Sequence, residues 1–295
     1  MARFFRSRLS TGPENRPAAA PAPPSLEELG LAHLTFEQRV GLRDDALAGF
    51  YNNASQELFT GFRVTKDDVL IDVGCGGGGP LEFCARHAGK VHAVDVHQDT
   101  VDAARQRLES RGIDVSHVSF AVADAASLPF DDGLASRVIC LEVLEHVESP
   151  AVVMGELVRV AASGALLLIS VPDQRGEELL HHYAPAAAWQ PPHHIRTFSA
   201  DGLRQLVLES GLEILDTATS GFFRLMWLAM YWSQTKHLSG HSHAAIEPET
   251  VEGNAMIEAW VNLWDSMLDR SDGELVKRTL DQLLPKSQLV LARKP

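Results

Sequence analysis

Two carboxylates and an imidazole lie close together in the segment CLEVLEHV, which begins at Cys140. If this segment starts a helical turn, Glu142 lies one turn from both Glu145 and His146, on the same helical face. Such a cluster suits a hard or borderline divalent cation such as Mg, Mn, Zn or Fe. Without a cation the adjacent carboxylates repel each other, and one of them is expected to take up a proton.

A histidine-rich loop supplies further candidates for this reactive centre. It contains the sequence PPHHIRTFS, which begins at Pro191 and includes His193 and His194. Loops at the carboxyl ends of strands carry functional side chains in α/β proteins. One of these histidines could act beside the carboxylates, and the spacing does not distinguish the neighbours His193 and His194.

A glycine-rich turn is the strongest single motif of the chain. The sequence VLIDVGCGGGGP, from Val69 to Pro80, places a glycine-rich turn and a helix start after a buried strand that carries an acid. Glycine has no Cβ, so the backbone turns sharply and a ligand can approach it closely. The helix N-terminus offers free N–H donors. This context predicts a nucleotide-binding turn.

Acidic residues lie at the ends of three successive predicted strands, namely Asp72, Asp95 and Asp124. A carboxylate after the second strand can accept hydrogen bonds from the hydroxyls of a ribose. Asp124 could meet an adenine amino group. Each acid alone could simply cap the following helix, but three acids at one edge of an open α/β sheet favour a ligand site.

Short β-branched runs alternate with helical stretches along the middle of the chain. The predicted strands are 69–73, 91–96, 118–122, 137–141, 165–171, 212–218 and, as an edge strand, 288–294. The predicted helices are 80–88, 100–111, 151–161 and 203–210. This alternation predicts an α/β fold with a doubly wound, mostly parallel seven-stranded sheet and helices on both faces.

The pattern Asp72-x-Gly74-x-Gly76-x-Gly78, with Asp95 and the Ala123-Asp124-Ala125 step, resembles the class I S-adenosylmethionine-dependent methyltransferases. The resemblance covers about residues 67–171 and extends more loosely to about 218. It implies a Rossmann-like methyltransferase fold in which the turn contacts the methionine part of the cofactor. The cofactor-binding residues that it implies are Asp72, Gly74, Cys75, Gly76, Gly78, Asp95, Val96, Asp124, Ala125 and Leu141. A dinucleotide oxidoreductase is the alternative, but its turn would read G-x-G-x-x-G.

The Glu-x-x-Glu-His stretch, followed later by a histidine before an aromatic-Ser helix start, is similar to ubiquinone-biosynthesis O-methyltransferases. It is also similar to small-RNA 3′-end 2′-O-methyltransferases, in which these positions bind a metal that holds the substrate hydroxyls. The similarity implies the metal ligands Glu142, Glu145, His146 and His194, and the catalytic residues His146, His194 and Glu145. A Glu-His pair after the fourth strand also occurs in metal-free methyltransferases, where it caps a helix or shapes the acceptor pocket.

Composition divides the chain into five segments. They are a disordered Pro/Ala-rich tail (1–25), N-terminal helices (26–66), the methyltransferase core (67–219), an aromatic helical insertion (220–287) and the last strand of the core (288–295). Ser25 and Glu28 form a capping-box pattern at the start of the N-terminal helices. The insertion is expected to form a lid over the acceptor pocket, an interface with another subunit, or additional core.

The net charge of −13 argues against nucleic acid as a partner, because such a surface repels phosphate backbones. Three cysteines cannot form a disulfide framework, which favours a cytoplasmic location. No apolar run reaches the roughly 18 residues that a membrane span needs, although peripheral membrane contact stays open. An oligomer formed through the aromatic insertion also stays open.

These patterns together predict S-adenosylmethionine-dependent O-methylation of a small hydrophobic or aromatic hydroxyl acceptor, with or without a divalent metal. Two alternatives remain at this point. One is a metal-free N- or C-methyltransferase acting on a small molecule or lipid. The other, from a different class, is a non-catalytic cofactor-binding or assembly protein.

Overall fold

The computed structural model describes residues 34–191, 193–235 and 253–295. The predicted tail and the capping box at Ser25 lie outside these residues. The first helix, α1 (Phe36–Leu47), begins with a different capping box. There the Thr35 hydroxyl accepts the Gln38 N–H at 3.2 Å, and the Gln38 side chain accepts the Thr35 N–H at 3.1 Å. This reciprocal pair fixes the helix start.

A small antiparallel sheet follows α1. It comprises β1 (Phe50–Asn52), β2 (Glu57–Phe59) and β3 (Phe62–Arg63). The prediction of helices throughout 26–66 is therefore wrong for residues 50–63. Aromatic side chains favour strands that can pair them, and the Phe50 and Phe59 rings lie 5.0 Å apart across β1 and β2.

The central sheet has seven strands, in the order β6-β5-β4-β7-β8-β10-β9. The strands are β4 (Val69–Val73), β5 (Lys90–Asp95), β6 (Val118–Val122), β7 (Ala135–Leu141), β8 (Ala161–Pro172), β9 (Glu213–Ser220) and β10 (Ser287–Arg293). The helices between them are α2 (Gly79–His87), α3 (Gln98–Ser110), α4 (Pro150–Val160), α5 (Gln174–His181) and α6 (Ala200–Glu209). Strands β4 to β8 are mutually parallel, so the predicted α/β fold is confirmed.

The last strand is not an edge strand, contrary to the prediction. Strand β10 lies between β8 and β9 and is antiparallel to both. Its residues Leu289, Val290 and Leu291 are all buried, which means that both faces of the strand are covered. A nearly continuous apolar run of this kind is typical of an interior strand.

The insertion before β10 consists of α7 (Phe222–Thr235), α8 (Ala255–Leu268) and α9 (Gly273–Leu283) in the described residues. Its indole side chains Trp227 and Trp264 are buried within this chain. The Trp264 Nε1–H donates to Asp44 of α1 at 2.9 Å, and the buried Lys277 pairs with Asp44 and Asp281. These contacts join the insertion to α1 as a separate apolar layer beside the sheet.

Every helix that the structure describes falls short of the length and hydropathy needed to cross a bilayer.

Candidate active site

The glycine-rich turn is held against the neighbouring strand by its own backbone. The Gly74 and Cys75 N–H groups donate to the Val94 carbonyl of β5 at 2.8 and 2.9 Å. Gly74, Gly76 and Gly78 have φ angles of +73°, +51° and +81°, which glycine adopts without the steric cost that other residues pay. A Cβ at Gly74 would also lie 2.3 Å from the side chain of Val143.

Two of the three strand-end acids fix local backbone at the edge where β4, β5 and β6 end side by side. The Asp95 carboxylate accepts the Gly76 N–H at 3.1 Å and the His97 N–H at 3.0 Å. Asp124 is exposed and accepts the Ala126 N–H at 2.8 Å. Asp95 therefore links the glycine turn to the start of α3 and remains partly exposed at the same edge.

Asp72 is buried at the same edge, with 3% of its surface exposed. Its Oδ2 atom has no hydrogen-bond partner among the described residues. Burial, and then the charge of Asp95, raises the pKa of Asp72 to about 7. A buried, unpaired carboxyl oxygen costs free energy unless a ligand satisfies it. This arrangement fits a cationic ligand beside the turn.

The remaining predicted cofactor residues lie around this edge. Val96 follows β5 and is 57% exposed, Ala125 follows Asp124, and Leu141 ends β7 next to β4. Cys75 is buried in the turn itself.

Gly76→Val is expected to abolish cofactor binding, because the added side chain fills the space that faces the turn. The nearest atom to a Cβ at Gly76 is the Gly74 carbonyl oxygen at 4.0 Å, so the protein itself leaves room for it. The φ of +51° adds strain, and the thermal midpoint is expected to fall by a few degrees. Calorimetric titration with S-adenosylhomocysteine measures the loss.

The control is Gly155→Val on α4, where a Cβ meets no atom within 4 Å and the position is exposed. Normal binding by a folded Gly76→Val protein would contradict the placement of the cofactor at this turn.

The segment after β7 that carries Glu142, Glu145 and His146 forms a non-helical turn, whereas the sequence predicts the start of a helix there. Glu142 has a φ of +57°, and the His146 N–H donates to the Val143 carbonyl at 3.0 Å; α4 begins only at Pro150. A positive φ at a glutamate is uncommon and persists where surrounding contacts hold it. The Glu142 N–H donates to the Ser170 carbonyl of β8 at 3.0 Å, which anchors this backbone.

The Glu142 carboxylate is already paired within the protein. Lys286 Nζ lies 2.8 Å from its Oε2 atom, and the Ser170 hydroxyl donates to its Oε1 atom at 3.0 Å. Burial acts to raise the pKa of Glu142, but the charge and hydrogen bond of Lys286 outweigh this effect and lower the pKa. Glu142 is therefore an ionised partner of Lys286.

Glu145 has the opposite environment. It is 1% exposed, and neither of its carboxyl oxygens has a hydrogen-bond partner among the described residues. Burial, and then the negative charge of Glu142, raises the pKa of Glu145 well above its usual range. Its Oε1 atom lies 3.7 Å from His146 Nε2. Glu145 is thus the acid whose oxygens remain for a bound group.

His194 completes a cluster with these two residues. Ligand atoms of Glu145, His146 and His194 all lie within 4.8 Å of one another. The His146 and His194 rings are 5.0 Å apart in an edge-to-face arrangement. His194 Nδ1 lies 2.8 Å from Glu177 Oε2. The neighbouring His193 is buried and lines the same cavity.

A cavity of about 310 Å³ surrounds this cluster, between the sheet and the insertion. Its wall combines the polar cluster with apolar and cationic side chains. The lining residues outside the predicted set are Glu177, Leu180, Ala188, Trp189, Arg224, Leu228, Trp232 and Lys286. Three of them carry a sequence signal that could have been found. Glu177 follows the strand-end cap Asp173 by one helical turn, Lys286 immediately precedes the last strand, and Trp232 belongs to the aromatic insertion.

Residues 71–169, which contain the turn, Asp95, Asp124 and the Glu145–His146 pair, match the family model described as "Methyltransferase domain". Residues 71–169 of this chain are thus similar to a methyltransferase domain. The matched segment runs from β4 into β8, so it contains β5, β6 and β7 completely and parts of β4 and β8. The histidine loop, α7 to α9 and β10 lie after it.

Several curated relatives match parts of this chain. Methyltransferase GfsG of Streptomyces halstedii is 29% identical over 58% of this chain and 62% of its own length. Norajmaline N-methyltransferase of Rauvolfia serpentina is 34% identical over 35% of this chain and 36% of its own length. The ubiquinone biosynthesis O-methyltransferase of Xylella fastidiosa is 33% identical over 34% of this chain and 40% of its own length. The chain therefore spans less than two thirds of each of these relatives.

The solved structure of the 4+2 cyclase SpnF resembles this chain in fold. Its TM-score is 0.52 at 20% sequence identity, and the superposition covers 89% of this chain and 97% of SpnF. The likeness extends beyond residues 71–169 and therefore includes segments outside the matched domain.

Proposed function

We propose that this protein transfers the methyl group of S-adenosylmethionine to the hydroxyl of a small hydrophobic or aromatic acceptor. The observation that carries the proposal is the cavity in which Glu145, His146 and His194 lie beside Trp189, Leu228 and Trp232. The aromatic and aliphatic walls fit an apolar body, and the cluster fits one polar group that loses a proton.

The residues at the glycine-rich turn fit the donor. S-adenosylmethionine supplies an electrophilic methyl group on a sulfonium, together with an ammonium group and a ribose. The unpartnered Oδ2 atom of Asp72 fits a positive charge, and Asp95 is a partly exposed acceptor for ribose hydroxyls. The missing Cβ at Gly76 leaves backbone that a ligand can approach.

The pocket side chains would align the acceptor and remove its proton. The acceptor oxygen forms a bond to the methyl carbon as the carbon–sulfur bond breaks, and the sulfur keeps the electron pair as a neutral thioether. The hydroxyl proton passes to a neutral imidazole, that of His146 or His194. Alignment of two bound reactants can contribute ~7–11 kcal/mol, and a positioned base about 10²–10⁴-fold.

Glu145, His146 and His194 would also hold a divalent cation. The support is their mutual spacing within 4.8 Å and the two unpartnered oxygens of Glu145. One carboxylate and two imidazoles are a donor set that zinc and iron commonly take in enzymes. Such a cation makes a bound hydroxyl more acidic. Glu142 is not part of this proposed set, because Lys286 occupies its carboxylate.

Chelation tests the cation. Methyl transfer to a panel of phenols, aliphatic alcohols and amines is followed by the mass gain of one methyl group. Exhaustive chelation is expected to lower turnover at least about tenfold, and zinc, manganese or magnesium to restore it, with S-adenosylhomocysteine binding unchanged. Unchanged turnover after chelation would remove the cation and leave the histidines as base.

The structure of SpnF, which resembles this chain in fold, is named as a cyclase, so the fold alone does not imply methyl transfer. Cofactor binding and methyl transfer are therefore measured separately. Transfer to amines but not to hydroxyls would contradict O-methylation. Binding without transfer to any acceptor would contradict the enzymatic proposal as a whole.

A further inference from the structure

Glu177 holds one nitrogen of the His194 ring. Its carboxylate oxygen Oε2 lies 2.8 Å from His194 Nδ1, and the glutamate is 4% exposed. A carboxylate that is ionised can only accept hydrogen bonds, so this contact favours the His194 tautomer that carries its proton on Nδ1. In a neutral imidazole this leaves the lone pair on Nε2.

Close packing fixes the position of Glu177. A Cβ at the preceding Gly176 would lie 2.3 Å from the Pro285 carbonyl oxygen, so only glycine lets α5 approach the segment before β10 so closely. On the same helix, Arg175 binds Asp173 at 2.9 Å and donates to the Gln282 carbonyl of α9 at 2.7 Å. Helix α5 is thus held at its first turn and against the segment before β10, with Glu177 directed at the cavity.

One ring nitrogen of His194 belongs to the reactive cluster with Glu145 and His146. The His194 ring lies edge to face with His146, and Nδ1 is occupied by Glu177. Nε2 is therefore the atom through which His194 can act with Glu145 and His146. Both proposed roles of His194, base and cation ligand, need an unprotonated nitrogen at that position.

We propose that Glu177 is a positioning residue that holds His194 in the Nδ1–H tautomer and so presents the Nε2 lone pair to the acceptor site. The catalytic meaning of this role rests on the proposed methyl transfer. The tautomer itself does not, because it is inferred from the contact between Glu177 and His194 and not from the reaction. Removing a hydrogen bond that orients a metal-ligating histidine typically lowers activity or metal affinity by about 10–100-fold.

The test is nitrogen NMR of the imidazole rings in the 295-residue chain at pH 8, with His194→Asn used to assign the signals. In the unmodified protein, His194 is expected to carry its proton on Nδ1. In Glu177→Leu, the signals are expected to shift toward the Nε2–H form, with methyl transfer reduced by about 10–100-fold. Glu177→Ala serves as the second variant if the leucine protein does not fold.

The matched control is Glu178→Leu, which changes the adjacent exposed glutamate that accepts from Gln174 at 2.7 Å. It is expected to leave both the His194 signals and methyl transfer unchanged. An Nε2–H tautomer in the unmodified protein would overturn the proposal, and so would unchanged His194 signals in a folded Glu177 variant. The NMR readout needs neither acceptor nor cation, so failure of the proposed function is distinguishable from failure of this role.

Discussion

Asp95→Ala is expected to weaken binding of S-adenosylhomocysteine roughly 100-fold or more, because two charge-assisted hydrogen bonds to ribose hydroxyls are lost at about 1.5–3 kcal/mol each. The same change removes the acceptor for the Gly76 and His97 N–H groups, so the glycine turn also loses its link to α3. Calorimetric titration measures the dissociation constant, and thermal melting checks the fold.

Asp95→Asn separates these two effects. The amide keeps one oxygen that can accept from the Gly76 N–H but removes the charge, so an intermediate loss of affinity is expected. Asp99→Ala is the matched control, since Asp99 is an exposed acid in the first turn of α3. An unaltered dissociation constant in folded Asp95→Ala would count decisively against the proposed cofactor site.

Glu145→Gln is expected to lower kcat/KM about 100-fold or more with little change in the thermal midpoint. Burial, and then the charge of Glu142, raises the pKa of Glu145 well above its usual range, and glutamine closely matches the size of the carboxylic acid. The amide oxygen is a much weaker ligand than a carboxylate, so the variant is also expected to lose the response to added cation. Methyl transfer before and after chelation is the measurement.

Glu142→Gln provides the contrast. It breaks the pair with Lys286 and removes the charge that the half-buried lysine faces, so its main expected effect is a lower thermal midpoint. Glu148→Gln, at an exposed position in the same segment, is the neutral control. If Glu145→Gln retained full turnover, Glu145 would have no part in the reaction.

The parallel part of the sheet follows directly from the chain. Val69–Val73 and Val118–Val122 are strands with the predicted bounds, because apolar β-branched runs of this length bury both faces. The same reasoning misplaced the last strand. Whether an apolar strand lies at an edge or inside a sheet depends on which strands pair with it in space. Strand β10 pairs with β9, although three helices, α7 to α9, separate the two strands along the chain.

The glycine turn, its acids and the Glu-x-x-Glu-His segment are local in sequence, so residue types and spacing by themselves placed the proposed site at the carboxyl ends of the strands. The partners of these side chains come from far along the chain. Lys286 lies 144 residues from Glu142, and Glu177 lies 17 residues from His194. Only tertiary packing decided that Glu142 pairs with Lys286, that the Glu145 carboxyl oxygens have no hydrogen-bond partner among the described residues and that Glu177 contacts His194 Nδ1. The reason is that the energy of a buried charge depends on its neighbours in space.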